Sequence, residues 1–465
     1  MGIKTQASTF AVNQLLDYAI KNPEDNIPKL MNWADRLDEA MGNNFPNQRK
    51  VVRERVVDDP GSNWYQLLMS LLRDVDPDVF KTIFTNFIVN ANLVGAKRQK
   101  EMRAKYNCNI PWAILLDPTS ACNLHCIGCW AAEYGNRLNL TFDELDSIVT
   151  QGKELGTFVY LFTGGEPLVR KKDIIALCEK HNDCVFISFT NGTLIDDAFA
   201  EEMLRVKNFI PAISLEGFEE ATDGRRGEGT YGHVTCAMKI LREHRLPFGI
   251  SACYTSANTA SIMSEEFMDF IIESGAYFIW FFHYMPVGND ATPELLPSPE
   301  QREYVYHKIR DEYRNTKAIF AIDFQNDGEY VGGCIAGGRL YFHINANGDC
   351  DPCAFIHYAD SNIREKTLLE ALRSPLFQGY HDNQPFNENL LRPCPMLENP
   401  DAIEHLVAES GAHSTDLQSP EPVEHLTAKT HSYADNWADT AERLWVCSGH
   451  CPTCAASPEE ERCAS

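Results

Sequence analysis

The sequence predicts an α/β fold, with parallel β/α units over residues 107–327, a helical region over 1–106 and a small Cys-rich region over 328–465. Two patterns carry this. In the middle of the chain, short β-branched and aromatic runs alternate with amphipathic segments, the signature of parallel β/α units. Cysteines gather in a C-x3-C-x2-C triplet just after the first of those runs and again near the C-terminal end. At 465 residues the chain exceeds what one hydrophobic core usually holds, so several domains are expected.

Within the first 106 residues, apolar side chains recur at helical spacing over Phe10–Ile20, Asn26–Leu37, Trp64–Arg73 and Asp78–Val94. Such stripes normally face a core; an acyl-chain groove or a membrane-surface face is the sharper alternative for Val79–Val94. Strand-like runs then follow at Trp112–Leu116, Phe158–Thr163, Cys184–Thr190, Phe209–Leu215, Pro247–Tyr254 and Tyr277–Pro286. Between them helices are expected at about 141–155, 172–181, 196–206, 230–244 and 262–274, with Thr141 and Asp196 as N-caps. In the third region, Cys334–Cys353 reads as a β-hairpin turning at Asn347-Gly348. Residues 396–445 are rich in Glu, Ser, His and Pro and carry no clear pattern.

Composition narrows the function. A net charge of −25 repels a phosphate backbone, so no nucleic-acid partner is expected. The first ten residues lack the basic start and apolar core of a signal peptide, and Gln6 stands where a myristoylation pattern wants Ser or Thr. Tyr277–Pro286, the longest apolar run, is too short to span a bilayer. A cytoplasmic location is therefore expected, where thiols stay reduced and clustered cysteines point to metal.

Cys122, Cys126 and Cys129 form the first triplet. With 16 Cys in 465 residues, about 0.02 such triplets would arise by chance. Three thiolates on one loop can hold three corners of a cubane cluster and leave one iron open. Structural zinc is the alternative, although the fourth nearby ligand usual for zinc is missing. With Gly164-Gly165-Glu166-Pro167 placed some thirty residues later, after a strand, the chain resembles the radical S-adenosylmethionine (SAM) superfamily. The resemblance implies a partial (β/α)6 TIM-type barrel, a [4Fe-4S] cluster on the triplet, and SAM chelating the open iron at the C-terminal ends of the strands. Gly164 and Gly165 would let the backbone approach a ligand, and Glu166 would accept from the SAM ammonium group.

Other strand ends resemble the family's remaining contacts. Asn191 follows the third strand. Ser214 and Glu216 end the fourth, with Glu216 where many relatives have Asp. Arg226, chosen over Arg225 because a Gly follows it, would fork onto the SAM carboxylate. Gly128 replaces an aromatic residue common in the family, so Trp130 or another group would contact the adenine. Met285-Pro286-Val287-Gly288 matches a Pro-x-Gly near the adenine side. Cys253, at a strand end, would donate a hydrogen atom or couple to substrate; a small core residue is the alternative.

Cys334, Gly348 and Cys353 resemble the opening half of a SPASM or twitch extension, although the full C-x2-C-x5-C-x3-C continuation is absent. At least one auxiliary [4Fe-4S] cluster is implied, on Cys334, Cys353, Cys394 and a tail cysteine. The tail offers Cys447, Cys451 and Cys454, with Cys350 as a spare. A zinc site on that second triplet and His450 is the alternative. The resemblance thus implies an enzyme that cleaves SAM reductively to a 5′-deoxyadenosyl radical and abstracts hydrogen from an unactivated C–H bond. A low-potential donor such as ferredoxin or flavodoxin would reduce the cluster. Two substrate classes stand open, with a small molecule as the general case: a ribosomal peptide, and a lipid or isoprenoid, for which peripheral membrane contact is expected. A non-catalytic iron–sulfur or zinc protein is the third reading.

Overall fold

A computed structural model describes residues 3–40, 50 and 52–450. Its centre is one nine-stranded sheet: β1 (Ala113–Leu116), β2 (Val159–Phe162), β3 (Val185–Thr190), β4 (Phe209–Ser214), β5 (Gly249–Tyr254), β6 (Phe278–His283), β7 (Phe320–Asp323), β8 (Tyr341–Ile344) and β9 (Cys350–Asp351). The order is β7-β6-β5-β4-β3-β2-β1-β8-β9. All neighbours pair in parallel except β8 with β9. The fold is the expected α/β partial barrel.

The six expected strands form in place, and the sheet extends past them at both ends. β7 escapes sequence reading because it is only four residues long, after a helical run. β8 joins β1 in parallel, with Leu115 opposite His343, so residues of the Cys-rich region continue the barrel sheet. The expected hairpin is present as β8–β9, and Gly348 takes the left-handed conformation its turn requires (φ +87°).

Sequence also dictates the helices between strands. Thr141 and Glu144 close a capping box at the start of Phe142–Leu155, and Asp196 accepts from Phe199 N at the start of Asp197–Val206. Lys171–Lys180, Thr230–Glu243 and Glu265–Glu273 complete the set. Their apolar faces bury Leu145, Ile148, Phe199, Met203, Val234 and Phe267 against one continuous core with the strands.

The N-terminal region is helical as expected, with Ile3–Lys21, Pro23–Ala40, Asn63–Asp74 and Pro77–Phe84 followed by π-helical turns over Thr85–Gly95 and a helix over Ala96–Tyr106. Ser62 and Asp76 cap two of these helices. The Val79–Val94 stripe divides: Val79, Val89 and Ala91 are buried, whereas Ile88, Leu93 and Val94 are exposed. Docking on the barrel combines burial of Val75, Val79 and Met102 in the barrel core with polar contacts. Asn86 Nδ2 donates to the carbonyls of Asn182 and Cys184, and Asn90 Nδ2 to that of Asp183, at 2.8–3.0 Å. Among the described residues no helix is long and apolar enough to cross a membrane.

Candidate active site

A cavity of about 790 Å³ opens at the C-terminal ends of the strands, within the size range of ligand pockets. Its walls are largely aromatic: Phe189, Trp280 and Phe282 interleave (centroids 5.4–5.6 Å apart), and Phe324 and Phe355 adjoin them. Both groups of cysteines line it, Cys122, Cys126 and Cys129 on one side and Cys334, Cys353 and Cys394 on the other. Asn191, Ser214, Cys253 and Trp130 share the lining. Among the described residues no three His, Cys, Asp or Glu side chains are gathered as the ligands of a single metal ion.

The loop that carries the first triplet is built against the Gly-Gly turn after β2. Gly165 N donates to Thr119 O (3.0 Å) and Glu166 N to Ala121 O (2.8 Å). A Cβ on Gly165 would sit 2.2 Å from Ala121 O. These glycines admit the cysteine loop, and both also line the cavity. Pro167 opens a short 3-10 turn and is buried behind the wall.

Glu166 lines the cavity with its carboxylate already engaged. Oε1 accepts from Leu168 N (2.9 Å) and Thr190 Oγ1 (2.7 Å), and Oε2 from Asn191 N (2.8 Å). Burial pushes its pKa up, against these three donors. A carboxylate has about four lone-pair sites, so Oε2 keeps room for one more donor such as an ammonium group.

Glu216 is fully buried and faces protein rather than cavity. Its Oε1 binds both Arg225 Nη1 (2.7 Å) and the Arg226 guanidinium, while Oε2 accepts from Cys253 N (3.2 Å). Burial would raise its pKa, yet the two arginines win and hold it below the usual range. Arg226 reaches Cys126 Sγ at 3.9 Å, and Arg225 Nε donates to Ile127 O at 3.3 Å. Sequence reasoning chose Arg226 alone; Glu216 pairs with both, and together they clamp the cysteine loop. The adjacent Arg225-Arg226 pair was the available signal.

Burial pushes Cys122 and Cys253 up to about 11, and raises Cys126 against the nearby Arg226 charge. On the other wall Cys334 is pushed up to about 12 and Cys353 to about 11, again by burial, which also raises Cys394 well above the ordinary thiol value. Tyr341 Oη lies 2.8 Å from Cys353 Sγ, Leu397 N donates to Cys394 Sγ (3.4 Å), and Glu398 Oε2 accepts from Cys394 N (2.7 Å). Cys350 lies apart, buried beside Asp351, Asp349 and Asp360. Cys447 is described but lies off the cavity lining. His450 stacks on Trp445 (3.7 Å) and approaches Glu329. Cys451 and Cys454 lie outside the described residues.

Trp130 stands between the two walls. Its ring meets Tyr134, His343, Phe355 and His357 edge-on at 5.8–6.4 Å. Behind it runs a buried polar network that sequence reasoning missed. His343 Nε2 is 2.9 Å from Asp117 Oδ1, an ion-pair contact whose angles fall short of a hydrogen bond, and His343 Nδ1 is 3.2 Å from Asp351. Tyr134 Oη donates to Asp351 (3.1 Å), and His357 Nδ1 pairs with Asp416 (2.7 Å). Burial lowers the His343 pKa, but Asp117 and Asp351 outweigh it and push it up to about 10. Polar residues inside the runs Leu115–Asp117 and Tyr341–Ile344 were the only signal.

Three thiols at each wall, in an aromatic cavity, suit an iron–sulfur cluster. The free acceptor capacity of Glu166 suits an amine-bearing ligand beside the first wall. Residues 116–270 match the family model described as the radical SAM superfamily. An AdoMet-dependent heme synthase of Methanosarcina barkeri is 24% identical over 290 residues, 56% of this chain and 82% of that protein. A PqqA peptide cyclase of Granulibacter bethesdensis is 25% identical over 293 residues, 58% of this chain and 76% of that protein. In fold, the chain is similar to SuiB of Streptococcus suis, solved bound to S-adenosylmethionine, with TM-score 0.52 and 21% identity over 71% of this chain and 87% of that one.

Proposed function

We propose, for a chain that is an enzyme of the radical SAM superfamily using a [4Fe-4S] cluster and SAM, that it abstracts hydrogen from an unactivated C–H bond of a substrate held against the aromatic wall. The observation that carries this is a single cavity shared by Cys122, Cys126, Cys129, Glu166 and that wall. When bound, the pair of cofactors supplies one-electron cleavage of the C5′–S bond of SAM, giving methionine and a 5′-deoxyadenosyl radical.

The chain's own residues do the rest. Cys122, Cys126 and Cys129 would hold the cluster. Glu166 Oε2 would accept from the SAM ammonium, with Asn191 and Ser214 lining the same wall. Arg225 and Arg226, fixed by Glu216, hold positive charge against the thiolate loop and stabilise its deprotonated form. Trp130 and the aromatic wall exclude water from a centre that water would otherwise reach. Cys253 would return a hydrogen atom to a substrate radical, and the thiyl radical left behind would regain the thiol by taking one electron from the low-potential donor and a proton; Cys253→Ala would then keep deoxyadenosine formation and lose product.

Cys334, Cys353 and Cys394 would hold an auxiliary cluster across the cavity, with a tail cysteine completing it. A peptide substrate is supported by the relative named as a peptide cyclase. A lipid or isoprenoid substrate is the second reading, favoured by the aromatic wall and by exposed Ile88, Leu93 and Val94 on the N-terminal region, a surface suited to peripheral membrane contact. The chain would act in the cytoplasm with a low-potential electron donor such as ferredoxin or flavodoxin.

Anaerobic reconstitution tests the common core. About eight iron per chain are expected from two cubanes, and deoxyadenosine from SAM with dithionite. Full iron loading without deoxyadenosine would overturn the reading. Lipid and peptide profiling of cells lacking the protein separates the two substrate classes.

A further inference from the structure

Two phenols stand over the second group of thiols. Tyr341, on β8, brings its hydroxyl to 2.8 Å from Cys353 Sγ, and its ring packs edge-on against Phe324 on the cavity wall (6.2 Å). Tyr380 comes from the helix Pro375–Asn383 and is fully buried. It packs in one cluster with Cys353, and Cys334 and Cys394 lie against that cluster. Its ring is pinned: it meets Phe386 at 5.3 Å, and a Cβ on Gly337, three residues after Cys334, would fall 2.4 Å from Tyr380 Cβ.

The Tyr380 hydroxyl has no hydrogen-bond partner in the chain among the described residues. A buried hydroxyl without an acceptor is rare, because burial removes the water that would otherwise satisfy it. When ionised, the thiols of Cys334, Cys353 and Cys394 are close enough to push the Tyr380 pKa up further than burial alone. A sulfur-rich group seated among the three thiols would supply the missing acceptor.

We propose that Tyr341 and Tyr380 donate O–H···S hydrogen bonds to the iron–sulfur group held by Cys334, Cys353 and Cys394, and thereby keep its reduction potential high. This rests on the auxiliary-cluster reading above. Reduction adds negative charge that spreads over the sulfurs, and a donor O–H stabilises that charge more than it stabilises the oxidised form. Both are positioning residues: Tyr341 touches the Cys353 sulfur, and Tyr380 packs in the cluster that holds Cys353.

The test uses the full chain carrying Cys122→Ala/Cys126→Ala/Cys129→Ala, reconstituted anaerobically, so that the auxiliary group alone is seen. Tyr341→Phe, Tyr380→Phe and the double variant are added, and the midpoint potential is read by EPR during a redox titration. Phe keeps each ring in place, and Tyr380→Phe breaks no hydrogen bond within the chain, so folding is preserved. The expected result is about four iron per chain throughout, a lower midpoint potential in each single variant, and the lowest in the double. Unchanged iron with an unchanged potential in the double variant would overturn the inference. If the triple Cys variant binds no iron at all, the auxiliary-cluster reading fails first, and this inference falls with it.

Discussion

Arg302→Met is expected to destabilise the protein strongly, and to do so by stranding one carboxylate. Arg302 and Glu398 are both fully buried and pair at 2.7 Å. The guanidinium lies 4.1 Å over the Trp437 ring, and its other donors reach Asn326 Oδ1 (3.0 Å) and Leu391 O (3.3 Å). Removing one partner of such a pair costs about 3–5 kcal/mol, because the other must stay buried without its counter-charge or take up a proton to fold. In Arg302→Met/Glu398→Gln no charge is stranded, and the Gln carbonyl still accepts from Cys394 N. The double variant is therefore expected to be more stable than Arg302→Met by about 1–3 kcal/mol. It should still fall short of wild type by roughly the 2 kcal/mol of a buried cation–π contact. pH adds a second signature: the stranded Glu398 takes a proton in the folded state, so Arg302→Met loses stability as pH rises from 5 to 8. Urea unfolding followed by tryptophan fluorescence, under anaerobic conditions, measures all of this. A cost below about 1 kcal/mol for Arg302→Met at pH 7.5, with no recovery in the double variant, would refute the reasoning.

Other expectations follow from the same geometry. His343 holds its proton up to about pH 10 in the folded state, against the ordinary 6.5; its stabilisation is complete below the ordinary value and is lost as pH climbs through the folded one. The urea midpoint should therefore fall between these pH values in wild type and change less in His343→Gln; parallel profiles would refute this. Gly165→Ala drives a methyl into Ala121 O, so iron bound by the first triplet should drop sharply while the helical circular dichroism stays near wild type. Thr141→Ala removes a capping box on an exposed helix start and should cost about 1 kcal/mol without altering iron content.

The barrel was legible in the sequence because its strands are continuous apolar runs, as strands covered on both faces must be. Thr141 and Asp196 were legible because capping is local chemistry. The edges were not: Tyr-Phe-His-Ile reads as half of a hairpin, and nothing local in it says that His343 will lie opposite Leu115, more than two hundred residues away. The same limit hid the electrostatics. Glu216, Arg225 and Arg226 could be named as polar groups near a ligand, but their mutual pairing depends on how the helix Glu219–Arg226 turns back onto the strand end. Asp117 stood in plain view at the end of β1, and only its contact with His343 gives it a part in holding the two walls together.

Those cross-sheet contacts bear on whether the Cys-rich region is a detachable module. β8 covers the edge of β1, and Trp112 N and Ala113 N both donate to Leu340 O. Asp117, fully buried, has His343 as its positive partner. A chain ending at residue 327 would lose β8, expose the edge of the strand that leads into the cysteine loop, and leave Asp117 with no counter-charge. The cost of one stranded buried charge, about 3–5 kcal/mol, is already a large share of a typical folding free energy of about 5–15 kcal/mol, and the open β1 edge adds an aggregation site. The truncated chain is therefore expected to be insoluble, or to lack a cooperative unfolding transition by circular dichroism. A soluble 1–327 fragment that unfolds cooperatively and binds about four iron would show that the first wall stands without the second. The two walls would then not be coupled through β1, Trp130 and His343.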